Sequence, residues 1–358
     1  MDRRTDSFLT RMSAVPDNTD AVLHHYGVAD AAVEPLGTGL INQTFLVTDS
    51  AGVRSVLQCL NSAFPATINR DIETVTAHLR SRSMPTPKLI RTQQGDLWVE
   101  IAGNVWRCME YMPGVCVDAL SSAQQADAAG ALLGRFHLAV SNLTIEFSQP
   151  RLGVHNTARH LENLRKALES HQQHAYFEQA SSLATRIFAQ AETLPDFSSL
   201  PDRVVHGDPK ISNLIFDAES GAGSCMVDLD TLAHMPIALE MGDAFRSWCN
   251  PKGEDDTQGM FSLDLFAAAV EGYASVTKVM LDAQEWRAFV PATGTIMVEL
   301  AARFCADVLN DTYFGWNADK YSNRSEHNLV RAEGQLAARS ALNAVADEAT
   351  RVTERAFA

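Results

Sequence analysis

Between two apolar runs, Val204–Val205 and Leu214–Phe216, the chain writes a histidine, a glycine, an aspartate, a lysine and an asparagine in the stretch VVHGDPKISNLIFD. A second carboxylate pair follows in VDLD, at Asp228 and Asp230. Phosphoryl transfer asks for this set: a carboxylate near the attacking hydroxyl, hard oxygen ligands for magnesium and a cation for the transferring phosphate. Asp208 suits the first role, Asn213 and Asp228 the second, and Lys210, two residues after Asp208, the third. His206 reads as a brace for the loop rather than a group that meets substrate.

The order His206-x-Asp208-x-x-x-x-Asn213 has the spacing of a kinase catalytic loop. A capped surface turn explains a lone His-x-Asp, but not one with Asn213 and Asp228 at the right distance. A metal-hydrolase cluster of His206, Asp208, Asp228 and Asp230 is a weaker reading, because it leaves the upstream glycine loop without a purpose. That loop carries Gly37 and Gly39, whose missing side chains let backbone approach a phosphate. No G-x-x-x-x-G-K-[ST] motif occurs, which excludes a P-loop enzyme.

The elements that position these residues divide the chain. Residues 32–112 read as five strands with one helix after the third, Ile72, Val75 and Leu79 standing at helical spacing. Beyond Pro113–Gly114 helical patterns dominate, at about 156–192, 262–280, 284–310 and 325–356. The first of the helical region opens with Ser121-x-x-Gln124, a capping-box arrangement. A hairpin interrupts it: Leu214–Phe216, a Gly-rich turn, then Cys225–Leu229 with Asp228 on its second strand. The expected organisation is a flexible leader over 1–20, a nucleotide-binding β-lobe over 21–112 and a catalytic, substrate-binding helical lobe over 113–358. The fold class is α+β.

Composition sets limits on partners. The 358 residues carry a formal net charge of −15, with 46% hydrophobic and 20% charged residues. That balance suits a soluble globular protein and disfavours nucleic acid. No apolar run approaches the roughly 18–20 residues that span a bilayer, so no membrane partner is expected. Six scattered cysteines without a CxxC pair fit buried, reduced thiols in the cytoplasm.

With those residues in view, the chain resembles the aminoglycoside-phosphotransferase-like kinases, a branch of the protein-kinase fold, through HGDPKISNLIFD, VDLDT and MGDAFR. GTGLINQTFLV, VLQCLNSAFP, RFCADVLNDTYF and EHNLVR are similar to the members that phosphorylate N-acetylhexosamines at C1. The resemblance implies a two-lobed kinase-like fold with a small five-stranded antiparallel N-lobe. It implies ATP- and Mg2+-dependent phosphorylation of an anomeric hydroxyl, with Asp208 as base, Asn213 and Asp228 as metal ligands and Asp243 as brace of the catalytic loop. Glu110–Met112 would face adenine, and Arg303 and Tyr313 would line the sugar pocket. The wider family has a lysine on the third strand paired with a helix glutamate. Here Gln58 stands in its place, with Glu73 as the expected helix partner, so phosphate neutralisation falls more heavily on Lys210 and Mg2+. Leu40 stands where those sugar kinases present a histidine beside the sugar. Two other outcomes stay open: a kinase of the same fold acting on another small alcohol (an aminoglycoside, choline or homoserine), and a non-catalytic nucleotide-binding protein. Oligomeric state is not readable from the sequence.

Overall fold

The computed structural model describes residues 15–37, 42–148 and 155–358. Gly39, Leu40 and most of the leader lie outside the described residues. Those described divide into two compact units: the first holds residues up to 77, with 86–112 and 147–148, and the second holds the rest.

The first unit is built on an antiparallel sheet. Its strands are β1 (Ala32–Pro35), β2 (Gln43–Thr48), β3 (Arg54–Cys59), β4 (Leu89–Ile90), β5 (Val99–Ile101) and β6 (Asn104–Glu110), ordered β1-β2-β3-β6-β4 with β5 paired to β6. Five of them are the predicted strands; the sixth, β4, has two residues, too few for an alternation to show. Alternation of side chains along β2 buries Phe45 and Val47 on one face. Leu57, Trp106 and Cys108 join them, and helix α1 (Thr19–Tyr26) adds Val22 and Leu23. Helix α1 takes in Thr19 and Asp20, which the sequence placed in the leader, and buries Thr19. Helix α2 (Ile68–Ser81) is the predicted one, with Ile72, Val75 and Leu79 each no more than 1% exposed.

The second unit is mainly helical: α3 (Ala123–Val140), α4 (Thr157–Ser170), α5 (Phe177–Ala191), α6 (Ile237–Trp248), α7 (Leu263–Thr277), α8 (Ala283–Arg287), α9 (Phe289–Asn310) and α10 (Arg324–Phe357). Helix α9 is apolar and long enough to cross a membrane by length and composition alone, contrary to the expectation above. It is instead the core of the unit, packed by α4, α5, α6 and α10, with 89% of its apolar window buried. Helices α3 and α7 approach so closely that a Cβ on Gly130 would lie 2.0 Å from the Ala269 carbonyl oxygen. The N-cap sits one residue later than predicted, and the return bond of a capping box goes to the residue before it. Ser122 is the N-cap of α3 and accepts from Gln125 N, while the Gln125 side chain accepts from Ser121 N.

Two small antiparallel pairs cross this helical unit: β7 (Asp202–Val205) with β10 (Ala233–Pro236), and β8 (Leu214–Phe216) with β9 (Gly223–Met226). They carry the polar loop in and out. All six cysteines are free, and all but Cys116 are buried. Burial pushes the Cys108 thiol up to about 11 and Cys225 to about 12, which keeps both protonated.

Candidate active site

The polar loop begins where β7 ends. Val204 and Val205 pair with His234 and Ala233 of β10, anchoring the entry. His206 is fully buried, and burial lowers its pKa, so the ring is neutral near pH 7. Its Nε2 lies 2.9 Å from the Val227 carbonyl oxygen, which cannot donate. Nε2 therefore carries the proton, and Nδ1 accepts from Asp208 N at 3.4 Å. The brace predicted for His206 is this link between the loop and the end of β9. Gly207 turns the chain at φ +84°, and a Cβ there would stand 2.1 Å from the Thr231 carbonyl oxygen. Only glycine fits both the angle and the space.

Asp208 follows, with its side chain 23% exposed. Its Oδ2 accepts from Lys210 Nζ at 2.8 Å and from Asn213 Nδ2 at 3.2 Å. Its Oδ1 accepts no hydrogen bond from the described residues. Burial works to raise this carboxyl, but the Lys210 ammonium overrides it and holds the pKa below the usual carboxylate range. Lys210 is itself raised: burial disfavours its charge, and Asp208 and Asp228 outweigh that. Lys210 thus lies against the candidate base as well as being the candidate phosphate cation.

Asn213 sits in the 3-10 turn Ile211–Asn213, and its Nδ2 also donates to the Asp208 carbonyl oxygen at 2.8 Å. Its amide nitrogen is thereby committed to Asp208. Asp228 is not on the hairpin strand, as the VDLD alternation suggested. β9 ends at Met226, and Asp228 adopts a left-handed backbone, φ 64° and ψ 57°, at the head of a second 3-10 turn. Such a conformation costs about 1–2 kcal/mol for a residue with a side chain, least for Asp and Asn. Asn213 and Asp228 present hard oxygen donors, a set that fits Mg2+ and is short of the three or more His, Cys, Asp or Glu of a hydrolase centre, which the described residues do not contain.

The brace under this loop is not Asp243. Glu240, three residues earlier on α6 and 0% exposed, accepts from Gly207 N at 2.6 Å and from His137 Nε2. His137 Nδ1 is 2.7 Å from the Tyr273 hydroxyl, so α3, α6 and α7 converge on one buried carboxylate. Burial acts to raise Glu240, but the His137 imidazole prevails and keeps it ionised. Asp243 instead accepts from Arg246 Nε at 2.8 Å, and Arg246 also pairs with Glu254. Trp248 Nε1 donates to the Pro209 carbonyl oxygen at 2.8 Å, and Ile211 N to Ser247 Oγ at 3.2 Å, so α6 holds the loop at several further points. Helix α6 was not among the expected helices; ten of its twelve residues are buried, acids included.

In the first unit, Thr44, Gln58 and Arg107 stand in one register row across β2, β3 and β6. Gln58 Nε2 donates to Thr44 Oγ1 at 3.1 Å, and its Oε1 accepts from Arg107 Nη2 at 2.6 Å and Nε at 2.9 Å. Arg107, 1% exposed, is the residue the sequence reading missed; a lone cation in the apolar strand VWRCM was its signal. Glu73 is not the partner of Gln58: its Oε1 accepts from Arg91 Nη2 at 2.7 Å. Gly37, at φ +75°, has open space around its Cα. Glu110 closes β6 with its N–H donated to the Lys88 carbonyl oxygen at 2.8 Å, and Met112 ends the unit.

Arg303 and Tyr313 meet on one cavity of about 410 Å3 in the second unit, together with Arg159, His160, Asp307 and Phe314. Tyr313 lies past the end of α9, 60% exposed, on a loop shaped by Asp307. Asp307 Oδ1 accepts from the backbone N–H of Thr312 and Tyr313 at 3.0 and 2.9 Å, and Oδ2 from Phe314 N at 2.9 Å and Asn328 Nδ2 at 3.0 Å. Arg303 packs its guanidinium 5.9 and 5.5 Å from the Tyr313 and Phe314 ring centres.

A small antiparallel β unit, a helical unit and a loop joining a carboxylate, a lysine and hard oxygen donors are the parts that a phosphotransferase acting on a small-molecule alcohol asks for. Residues 32–277 match the model of the phosphotransferase enzyme family known as APH, more than half of the chain, and the protein belongs to that family. A homoserine kinase of Methylocella silvestris is 24% identical over 259 residues, 72% of this chain and 75% of its own length. The fold is shared with an aminoglycoside phosphotransferase from Alicyclobacillus acidocaldarius (15% identity, TM-score 0.62, covering 95% of this chain and 98% of that one). It is shared as well with the amicoumacin kinase hAmiN, solved with AMP-PNP, Ca2+ and amicoumacin (15% identity, TM-score 0.57, covering 84% and 87%).

Proposed function

We propose that this phosphotransferase uses ATP and Mg2+ to phosphorylate the anomeric hydroxyl of an N-acetylhexosamine, giving the sugar 1-phosphate. The observation that carries the sugar reading is the cavity on which Arg303, Tyr313 and Phe314 meet, lined among the described residues by guanidinium, imidazole, amide and aromatic groups and by one carboxylate, Asp307, whose oxygens already accept from 312–314 and Asn328. AMP-PNP and Ca2+ in the amicoumacin kinase support a nucleotide and a divalent cation here. Asn213 and Asp228 would hold the cation, which supplies charge neutralisation on the phosphates. In the first unit Gln58, fixed by Arg107, keeps an amide hydrogen for a phosphate oxygen, with Gly37 and Gly39 offering backbone and Glu110–Met112 the adenine edge. The buried, protonated thiols fit a reducing cytoplasm.

Asp208 Oδ1 would accept a hydrogen bond from the acceptor hydroxyl and so aim its oxygen. As that oxygen bonds to the γ-phosphorus, the bond from phosphorus to the β,γ-bridging oxygen breaks, ADP leaves with the electron pair, and Asp208 takes the hydroxyl proton. A carboxylate held low by Lys210 is a poor early base, but a loose phosphoryl transfer needs the proton removed only late. An anomeric hydroxyl, more acidic than an ordinary alcohol, suits it.

The homoserine kinase relative favours a second reading, a small amino alcohol as acceptor. An ADP-release assay over N-acetylglucosamine, N-acetylgalactosamine, glucose, homoserine, choline and kanamycin, with NMR of the product, separates the two: phosphate on C1 supports the first, and turnover of an amino alcohol alone overturns it. Asp208→Asn should abolish turnover, by a factor of about 10³ or more, while ATP still binds by calorimetry. Wild-type rates in that variant would refute the assigned base. Absence of any Mg2+-dependent ATP consumption over the whole panel would instead favour a nucleotide-binding protein without catalysis.

A further inference from the structure

We propose that the cavity beside Arg303 is an oxyanion subsite, so that the preferred acceptor carries a carboxylate. This rests on the sugar reading above and narrows it to an acidic N-acetylhexosamine. The chain as a whole has 44 acidic against 29 basic side chains, a background that repels anions. The cavity gathers three basic side chains against that background. Arg159 and His160 reach it from α4 and Arg303 from α9.

The acids nearby are already committed. Both oxygens of Asp307, a residue 3% exposed, accept from backbone N–H groups of 312–314 and from Asn328. Glu299 lies one helical turn before Arg303, but its side chain is 0% exposed. Its oxygens accept from His155 Nδ1 at 2.9 Å and Thr157 Oγ1 at 2.8 Å, with His160 Nε2 a further 3.9 Å away. Burial opposes charge on both partners, yet each favours the charged form of the other: Glu299 is lowered and His155 raised. Glu299 therefore has His155 and Thr157 on its oxygens and forms no ion pair with Arg303, which it meets only as a longer-range charge.

Arg303 makes neither an ion pair nor a hydrogen bond to the described residues. Its guanidinium carbon lies 5.9 and 5.5 Å from the Tyr313 and Phe314 ring centres, an attraction that steadies the head group while its N–H donors stay unspent on the described residues. A planar fork of donors held this way matches a carboxylate in two parallel hydrogen bonds and disfavours an ammonium. The same lining acts against a free amine by repulsion, so acylation of the sugar nitrogen and acidity elsewhere on the ring are selected together.

The test uses the wild-type chain with saturating ATP and Mg2+ and four acceptors. These are N-acetylglucosamine, its C6 acid (N-acetylglucosaminuronic acid), its 3-O-lactyl acid, and glucosamine with a free ammonium. One of the acids should exceed N-acetylglucosamine in kcat/KM by about tenfold, and glucosamine should fall about tenfold below it. The acid's KM should rise several-fold between about 50 and 500 mM NaCl, and that of N-acetylglucosamine should move much less. Arg303→Met, which keeps the stem against the rings, should cut the acid-to-neutral ratio to within about threefold. A neutral sugar equal to or better than both acids overturns this inference and leaves the sugar reading standing. Turnover of kanamycin or choline with no hexosamine phosphorylated overturns both.

Discussion

Replacing Glu240 tests the proposed architecture of the catalytic loop more directly than replacing any loop residue. The carboxylate is 0% exposed and receives two donors, Gly207 N and His137 Nε2, the latter tied on through Nδ1 to the Tyr273 hydroxyl. In Glu240→Ala both donors lose their partner where water does not reach, at about 1.5–2.5 kcal/mol each, a loss of about 3–5 kcal/mol in all. For a unit of roughly 250 residues each kcal/mol is worth about 2–4 °C, so the melting temperature should fall by roughly 6–20 °C. Gly207 immediately precedes Asp208, and a displacement of the base by about 1 Å is worth roughly 100-fold in kcat. Glu240→Gln keeps an acceptor oxygen for Gly207 N and should lose less than about tenfold in kcat, with a smaller drop in melting temperature. Thermal denaturation by circular dichroism and kcat at saturating substrates read both. An alanine variant that melts within about 2 °C of wild type and keeps its kcat within about threefold would refute the reasoning, because a loop indifferent to that carboxylate is not braced by it.

Three further outcomes follow from single contacts. Gly207→Ala places a Cβ 2.1 Å from the Thr231 carbonyl oxygen at φ +84°, so kcat should fall about 100-fold or more, measured at saturating substrates beside a melting curve. Arg107→Met removes a charged hydrogen bond worth about 1.5–3 kcal/mol from the Gln58 amide, and should raise the KM for ATP about tenfold while that for the acceptor changes little. The His155–Glu299 pair contributes stability with a definite pH window. The raised histidine contributes below its unfolded pKa of about 6.5 and loses its effect as pH rises through the higher folded value, while the lowered glutamate contributes above about 4.3 and loses its effect as pH falls through the lower one. The melting advantage of wild type over His155→Gln should therefore be largest between about pH 4.3 and 6.5 and shrink above it, and a difference that grows with pH would contradict the pairing.

The parts of this site that were legible in the sequence are local. Asp208, Asn213 and their spacing sit in one short loop, and Ile72, Val75 and Leu79 announce α2 by period alone. What escaped depended on distant partners or on doubled signals. The N-cap slipped by one because both serines, Ser121 and Ser122, and both glutamines, Gln124 and Gln125, satisfy the three-residue spacing. Asp228 lies in VDLD, whose alternation reads as strand, yet the ladder stops at Met226 and the carboxylate turns on a left-handed residue instead. Asp243 and Glu240 are three positions apart on α6, so both point to the same side of the helix, and only the tertiary contact with Gly207 N tells which acid is the brace. Glu73 and Gln58 were paired by family expectation, and the structure gives each an arginine: Arg91 to Glu73 and Arg107 to Gln58.

That last exchange bears on how the chain manages without a lysine at position 58. A strand lysine would bring both a cation and a flexible donor to the nucleotide phosphates. Here the row across β2, β3 and β6 separates the two functions: Arg107 supplies the charge but is 1% exposed, and Gln58 supplies a neutral donor whose carbonyl end is clamped by that charge. The row therefore fixes orientation and delivers no exposed cation. Lys210 is the cation that the catalytic loop does present, 36% exposed and 2.8 Å from Asp208 Oδ2. While it stays there it lowers the base, and a phosphate that draws the ammonium away would let the Asp208 pKa rise toward its ordinary value. On the proposed reading, arrival of the phosphoryl donor and recovery of basicity at Asp208 would be coupled through one side chain, which would tie the base's strength to the presence of something to transfer.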